Sequence, residues 1–414
     1  MSVLWKNWAG NQRALVELSR PTTEHELCSI VARAAETGTR VKVVGAGRSF
    51  SDVATTDGLA VDLCDYGRIL SLDTSAGLVS VQAGAPVREL SEFLWTRGLA
   101  LDNLGDFDDQ TIGGTAATAS HGTGARFRGI SAGIVGLRII DGAGAVHDCT
   151  MDSDPELFRA ARAGLGALGV VSTITLRVVP AFNLRLLEEA RLFGAVVESF
   201  DDLLAAHDHF EFSWVPHTER VLTRTGRRNT EPIESRGRWD HWRAGGSSAR
   251  NPQALPDGPL RYNEPAHRVW RNPRGPRFIE SEHAVPIEAT TAAAGEVRRW
   301  IESNGAEVLS MGVRVAAGDD IALSPSQGRP TGYISVRCRR RAPHEGYLRA
   351  VDAIMSAHGG RPHWGKVHHM GAAALAPLYP EWDLFQAVRS RIDPAGVFEN
   401  SYTRRCLGPV HPGT

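Results

Sequence analysis

What this sequence lacks narrows it first. No run of about eighteen apolar residues occurs, so no membrane-spanning helix and no membrane partner are expected. Net charge is nearly absent: 46 Lys and Arg stand against 47 Asp and Glu. Without a basic excess, no nucleic-acid partner is expected. Cysteine is scarce. The five residues Cys28, Cys64, Cys149, Cys338 and Cys406 are scattered and form no CxxC pair, which argues against a disulfide framework or structural zinc. The opening residues MSVLWKNWAGNQ carry no basic segment ahead of an apolar core. No secretory signal is therefore read there, and a reduced, cytoplasmic protein without a metal centre is expected. Internal repeats and low-complexity tracts are also missing.

What is present is ample material for large cores. The 414 residues are 42% hydrophobic, enough for about two to three domains. Thr22 and Thr23 precede Glu24 and Glu26 and predict a capped helix to about residue 37, with Leu27, Ile30, Val31 and Ala34 on one face. Strands are expected over 59–63, 69–72, 78–83, 134–140 and 170–178, and a helix over 86–98. Beyond about residue 181 the pattern changes: strands over 210–214, 278–286, 312–317 and 332–337, and amphipathic helices over 287–304 and 344–358. Residues 227–276, rich in Arg, Asn, Pro and Gly, predict a long surface excursion.

Glycine is concentrated in a few places. Residues 41–52 read VKVVGAGRSFSD, a β-rich run leading into Gly45-Ala46-Gly47. Glycine lets successive amides face outward, and such a concavity binds phosphate; a purely structural turn is the plainer reading of these residues alone. One GxGxxG, from Gly164 to Gly169, precedes a strand instead of opening a helix. That context disfavours a dinucleotide Rossmann site. Residues 111–124 read TIGGTAATASHGTG, residues 363–366 read HWGK, and residues 393–408 read DPAGVFENSYTRRCLG.

Together these stretches resemble the vanillyl-alcohol-oxidase type of flavoprotein, most closely its sugar branch of gulonolactone, arabinonolactone and alditol oxidases. The resemblance implies an α+β, two-domain fold. Residues 1–180, with 390–414 returning to them, would form an FAD-binding domain of two α/β subdomains. Residues 181–389 would form a substrate domain with an antiparallel sheet flanked by helices. It further implies oxidation of a CH–OH group of a sugar-like small molecule, with hydride passing to FAD and dioxygen or another acceptor taking the electrons onward.

By the same resemblance, FAD contacts fall to Val44, Gly45, Ala46, Gly47, Ser49, Phe50, Thr111, Gly113, Gly114, Thr115, Thr118, Ser120, His121, Val171, Ile174, His363 and Asn400, with Asp106 beside the substrate. His121 is equally readable as a buried structural histidine. Arg48 stands where the sugar oxidases usually carry a flavin-linked His. Arg has no nucleophilic imidazole, so noncovalent FAD is expected, with the guanidinium either gripping the pyrophosphate or forming an outward salt bridge. Lys366 and Arg314 are expected to stabilise the reduced flavin. The hydroxyl proton would go to His368, His369 or Asp106. Asp106 reads equally as one of three loop acids, with Asp108 and Asp109, that face water.

Two further positions depart from the family. Gly312 replaces the usual Glu two residues before Arg314, and Arg337 appears where a His is usual. These changes leave open an anionic substrate meeting Arg314, Arg337 and Lys366, or a pocket enlarged for a bulky one. Arg337 alternatively begins a solvated basic edge. The rivals are a flavoenzyme acting on a sugar or nucleoside derivative or on a C–N bond, a flavin-binding protein without catalysis, and a flavin-free sugar-binding module.

Overall fold

A computed structural model describes residues 2–234, 258–269 and 277–410. Three sheets organise them. The first joins strands Ser2–Lys6 and Arg13–Ser19, an antiparallel hairpin, to the parallel strands Leu59–Asp62 and Val41–Val44. The helix Glu24–Thr37 starts where expected: Thr23 accepts from the Glu26 amide, and Gly38 ends the helix at φ 65°, a conformation glycine adopts without steric cost. The second sheet is antiparallel, in the order Ile69–Asp73, Leu78–Gln82, Val170–Arg177, Ile134–Ile140, Val146–Cys149. The short helix Ile112–Ala117, capped by Thr111, crosses between this sheet and the loop after Val44.

The third sheet has eight strands in the order Leu260–Pro265, Asn183–Leu192, Arg220–Asn229, His209–Trp214, Val308–Ala316, Thr331–Arg339, Phe278–Pro286, Arg361–Pro362. Side chains alternate across a strand, so each strand divides its residues between two faces. Met311, Val313 and Val315 pack with Ile279, Ile334 and Val336 under the helices Thr290–Ser303 and Glu345–Ala357. Gly312 and Arg314 therefore belong to the opposite face, with Glu280, Glu282, Ser335 and Arg337.

Two expectations change. The strands Ser2–Lys6, Arg13–Ser19 and Asn183–Leu192 had no clean alternation to announce them. The excursion predicted over 227–276 contains the end of one strand, the strand Leu260–Pro265 and a helical turn Ala266–Val269; its remaining parts, 235–257 and 270–276, lie outside the described residues.

The C-terminal segment returns to the first sheet. Val41 donates its amide to Val397 O at 2.9 Å. The Asn400 side-chain amide donates to Asp52 O, Val53 O and Thr55 O, at 3.2, 3.1 and 2.8 Å.

Candidate active site

An elongated cleft runs between the loop after Val44 and the second sheet, enclosing about 1180 Å³ including the solvent at its mouth. Of the expected cofactor contacts, Val44, Gly45, Ala46, Gly47, Arg48, Ser49, Thr111, Gly113, Gly114, Thr118, Val171 and Ile174 line it. The walls approach closely. A Cβ on Gly45 would meet Thr111 Oγ1 at 2.6 Å, and one on Gly113 would meet Ala83 Cβ at 2.9 Å. Among the described residues, the backbone amides of 46–49 donate to no protein acceptor. Unspent amides facing a cleft form the concavity that holds a diphosphate, so this donor set fits FAD.

Other expected contacts are placed differently. Thr115 donates its hydroxyl to Ile112 O within its own helix. Asn400 spends its amide hydrogens on the loop 52–55, so it shapes the cleft from behind instead of lining it. Phe50 packs beside Trp8 and Phe278, with its amide donated to Gly365 O at 2.6 Å. Ser120 is buried beyond the cleft. Arg48 lines the cleft, but its guanidinium forks onto Asp109, with Nε 3.0 Å from both oxygens. It is sandwiched at 4.7 Å from Trp8 and 4.9 Å from Phe107. The expected grip on pyrophosphate gives way to a carboxylate partner: Arg48 is a strut in the cleft wall.

Asp106 is likewise no loop acid facing water, and each of the three acids holds its own arginine. Asp108 pairs with Arg88, Asp109 with Arg48, and Asp106 with Arg314 at 2.6 Å. Burial alone would raise the Asp106 carboxyl, but Arg314 and Arg337 outweigh it and hold it below the usual carboxylate range.

The charged face of the large sheet follows from register. Glu188, Arg224, Glu211 and Arg314 stand directly opposite one another on four successive strands. Opposite signs in facing positions attract. The resulting row bonds Arg224 to Glu188 at 2.8 Å and to Glu211 at 2.6 Å, and Arg314 to Glu211 at 2.7 Å. Two rows along the same face, Arg337 faces Glu280 and bonds it at 2.8 Å. Arg337 is thus part of this face and not a solvated edge. Lys366 bonds the other oxygen of Glu280 and lies 3.6 Å from Glu282. Between these ends, Ser213, Gly312, Ser335 and Glu282 face one another in register, and the missing side chain at Gly312 leaves a shallow floor.

His121 closes this arrangement. Its ring stacks on Tyr333 at 3.5 Å, its Nδ1 lies 2.9 Å from Gly122 O, and its Nε2 lies 3.5 Å from Glu282. A carbonyl can only accept, so Nδ1 carries a proton; the neutral ring then leaves its lone pair on Nε2, and the charged ring donates from Nε2 to Glu282. Burial raises the Glu282 carboxyl, but Lys366 and then His121 outweigh it and hold it well below the usual range.

His121, Glu282 and His363 place one ligand atom each within 4.8 Å of one another, close enough to suggest a metal. The tautomer opposes it. His363 Nδ1 accepts from the Gly365 amide at 3.0 Å, and burial pushes this imidazole down to about 3. The neutral ring then carries its proton on Nε2 and has no free lone pair for an ion.

His368 and His369 lie elsewhere. His368 is closed in by Trp364, Tyr402 and Cys406, with Nε2 3.0 Å from the Tyr402 hydroxyl, and burial followed by Arg405 holds it well below its ordinary value. His369 Nδ1 lies 2.6 Å from Asp352. Neither meets the charged face, because the segment after Lys366 is not a strand and does not turn alternate residues inward. His368→Asn is expected to leave the rate of anaerobic flavin reduction unchanged in stopped-flow while lowering the melting temperature. A large rate loss would return His368 to the site.

Sequence reasoning passed over Glu188, Glu211, Arg224, Glu280 and Glu282. The available signal was a pair of acids two apart inside an otherwise buried strand, FIESEHAVP, since carboxylates are almost never fully buried unless paired.

Comparisons with known proteins agree over most of the chain. A family model described as D-arabinono-1,4-lactone oxidase matches residues 174–246 and 248–406, and an FAD binding domain model matches 18–150. L-gulono-1,4-lactone dehydrogenase of Mycobacterium tuberculosis is 40% identical, covering 99% of this chain and 100% of that protein. L-gulonolactone oxidase of Scyliorhinus torazame is 32% identical, covering 98% of each. Among solved structures, cholesterol oxidase from B. sterolicum superposes with a TM-score of 0.83 at 16% identity, covering 99% of this chain and 97% of that one. That last likeness is one of fold.

Proposed function

The chain belongs to the D-arabinono-1,4-lactone oxidase family, FAD-dependent oxidoreductases of CH–OH donors, and on that premise we propose that it oxidises a neutral aldonolactone and holds its FAD without a covalent bond. One observation carries the substrate class. Arg314, Arg337 and Lys366 are each already matched by a carboxylate. A carboxylate substrate would meet Glu280 and Asp106 as well as the cations. A neutral ring bearing hydroxyls meets donors and acceptors in alternation, over a floor made of Ser213, Gly312 and Ser335.

FAD, when bound, supplies the hydride acceptor. The chain's own work is to hold the substrate, exclude water and receive a proton. Glu280 has both oxygens engaged by cations, Asp106 is bonded by Arg314, and Glu211 is shared between Arg224 and Arg314. His121 Nε2 keeps a lone pair, and Glu282 stands ready to stabilise the cation formed there. We assign proton acceptance to His121, with Glu282 as its electrostatic partner. The substrate carbon loses a hydride, its hydroxyl loses a proton to His121 Nε2, and a carbonyl remains. Lys366, fixed by Glu280, would supply positive charge to stabilise the reduced cofactor. Residues 1–180 with 390–414 are assigned to the cofactor and 181–389 to the substrate.

The test is spectroscopic. Anaerobic addition of L-gulono-1,4-lactone or D-arabinono-1,4-lactone should bleach the yellow protein near 450 nm, roughly where oxidised flavin absorbs. The corresponding open-chain acids should react far more slowly. Acid precipitation should release the colour into the supernatant. Faster bleaching by the acids would overturn the neutral-substrate reading, and a yellow pellet would overturn noncovalent attachment. Protein that stays yellow with every lactone would be a flavin binder without this catalysis.

A further inference from the structure

Two features of the cleft are left over once the reaction is accounted for. One is Lys42 on the strand Val41–Val44, 1% exposed, among the largest fully buried side chains of the protein. The other is the glycine-rich segment Gly164–Leu165–Gly166, which lines the cleft and is not a dinucleotide fingerprint. They meet. Lys42 Nζ donates to Gly166 O at 2.9 Å, across a sequence separation of 124 residues. Leu165 and Gly166 are both left-handed, at φ 55° and 57°. A left-handed leucine is strained, and the buried ammonium pins the turn that strains it.

The charged groups around Lys42 are committed to others. Arg389 and Arg40 both bond Glu399, at 3.1 and 2.9 Å. Asp52 pairs with Arg405 at 3.3 Å, and Asp393 accepts from the Val397 and Phe398 amides at 2.8 and 2.9 Å. Among the described residues, the ammonium has one carbonyl and no carboxylate as a partner. Ammonium groups buried without a carboxylate give up their proton readily. The same side chain lines the cleft with Gly45–Ala46–Gly47, whose neighbouring amides are unspent.

We propose that Lys42 makes cofactor binding proton-linked: as the cleft takes up FAD it takes up one proton, on Lys42 Nζ. This rests on the reading of the cleft as the FAD site. The cofactor's diphosphate brings negative charge into a cavity where Lys42 otherwise has none opposite it. Charge entering there favours the ammonium over the amine, and by linkage the ammonium form binds the cofactor more tightly. Burial pushes Lys42 down to about 7, with Arg389 adding to the fall and Asp393, Glu399 and Asp52 opposing it. The sign follows. Below that value the site is already charged and affinity is level; above it, each pH unit weakens binding by up to about tenfold until the bound-state value is reached. Asp393, pushed up to about 6 by burial, titrates at the lower edge of this range, and Lys42→Arg, which leaves Asp393 in place, separates its contribution from that of Lys42.

The experiment is FAD titration of the apoprotein between pH 6 and 9, followed by the quenching of flavin fluorescence. Calorimetry in two buffers of different ionisation heat then counts protons. Wild type should show a dissociation constant that climbs above neutral pH, and net proton uptake at pH 8. Lys42→Met should bind more weakly at pH 6 and lose the slope. Lys42→Arg keeps a permanent charge, and should bind with no slope and no uptake even if the Met variant fails to fold. A wild-type dissociation constant level from pH 6 to 9, or a slope that survives in Lys42→Arg, would overturn the inference. A protein that binds no FAD at any pH would overturn the reading of the cleft itself.

Discussion

Replacing His121 with Ala lowers the rate of anaerobic flavin reduction by lactone by about two orders of magnitude or more, the usual contribution of a positioned general base. Added imidazole restores part of the rate. The prediction comes from the tautomer: Gly122 O fixes the proton on Nδ1, so the lone pair on Nε2 is the proton-accepting site of the cluster not already bonded to a cation. Stacking on Tyr333 is also lost, so a lower melting temperature is expected alongside. His121→Gln keeps a hydrogen-bonding side chain without the basic nitrogen and should be as slow. Unchanged reduction in both variants would remove His121 from the chemistry.

Lys366→Met carries the second large effect, and it acts on two quantities. The ammonium is bonded to Glu280 and lies 3.6 Å from Glu282, both fully buried. Removing one partner of a buried pair costs about 3–5 kcal/mol, because the remaining charge is stranded. Here Arg337 retains Glu280, which brings the expected loss to the lower end of that range. Flavin reduction should slow by roughly two orders of magnitude with FAD still bound, the scale of losing one fixed electrostatic stabiliser. The double variant Lys366→Met with Glu280→Gln separates the two effects. It should recover part of the melting temperature, since the Glu280 charge is neutralised while Arg337 keeps Asp106 at 3.8 Å, and none of the rate. Recovery of both would make Lys366 a structural cation only.

The sequence made the glycine-lined cleft legible and the charged face of the large sheet much less so. Residues 41–52 and 111–124 could be read because a diphosphate site is built from backbone, and backbone requirements leave a local trace in glycine and small residues. Ten of the expected contacts that line the cleft fall in those two stretches. The charged face is built from register instead. Nothing local links Glu188 to Arg224, or Glu280 to Arg337; they become neighbours only when strands far apart in the chain pair in one alignment. Even the helix-spanning segments were easier, since capping and periodicity are local. His368 and His369 illustrate the other failure. They follow Lys366 directly, but the chain there forms turns and no strand, so sequence proximity gave no guide to direction. Arg48 was left open between two partners because a guanidinium suits a phosphate and a carboxylate equally well. Asp109, 61 residues away, is its partner.

The bonds from Val41 to Val397 and from Asn400 to the loop 52–55 have a consequence for the order of events in a cell. A growing polypeptide exposes the loop after Val44 long before the segment that buttresses it, since Asn400 follows Asp52 by 348 residues. That loop therefore lacks its support until the later segment has been made. A nascent chain stalled short of residue 397 would display a cradle with its back missing.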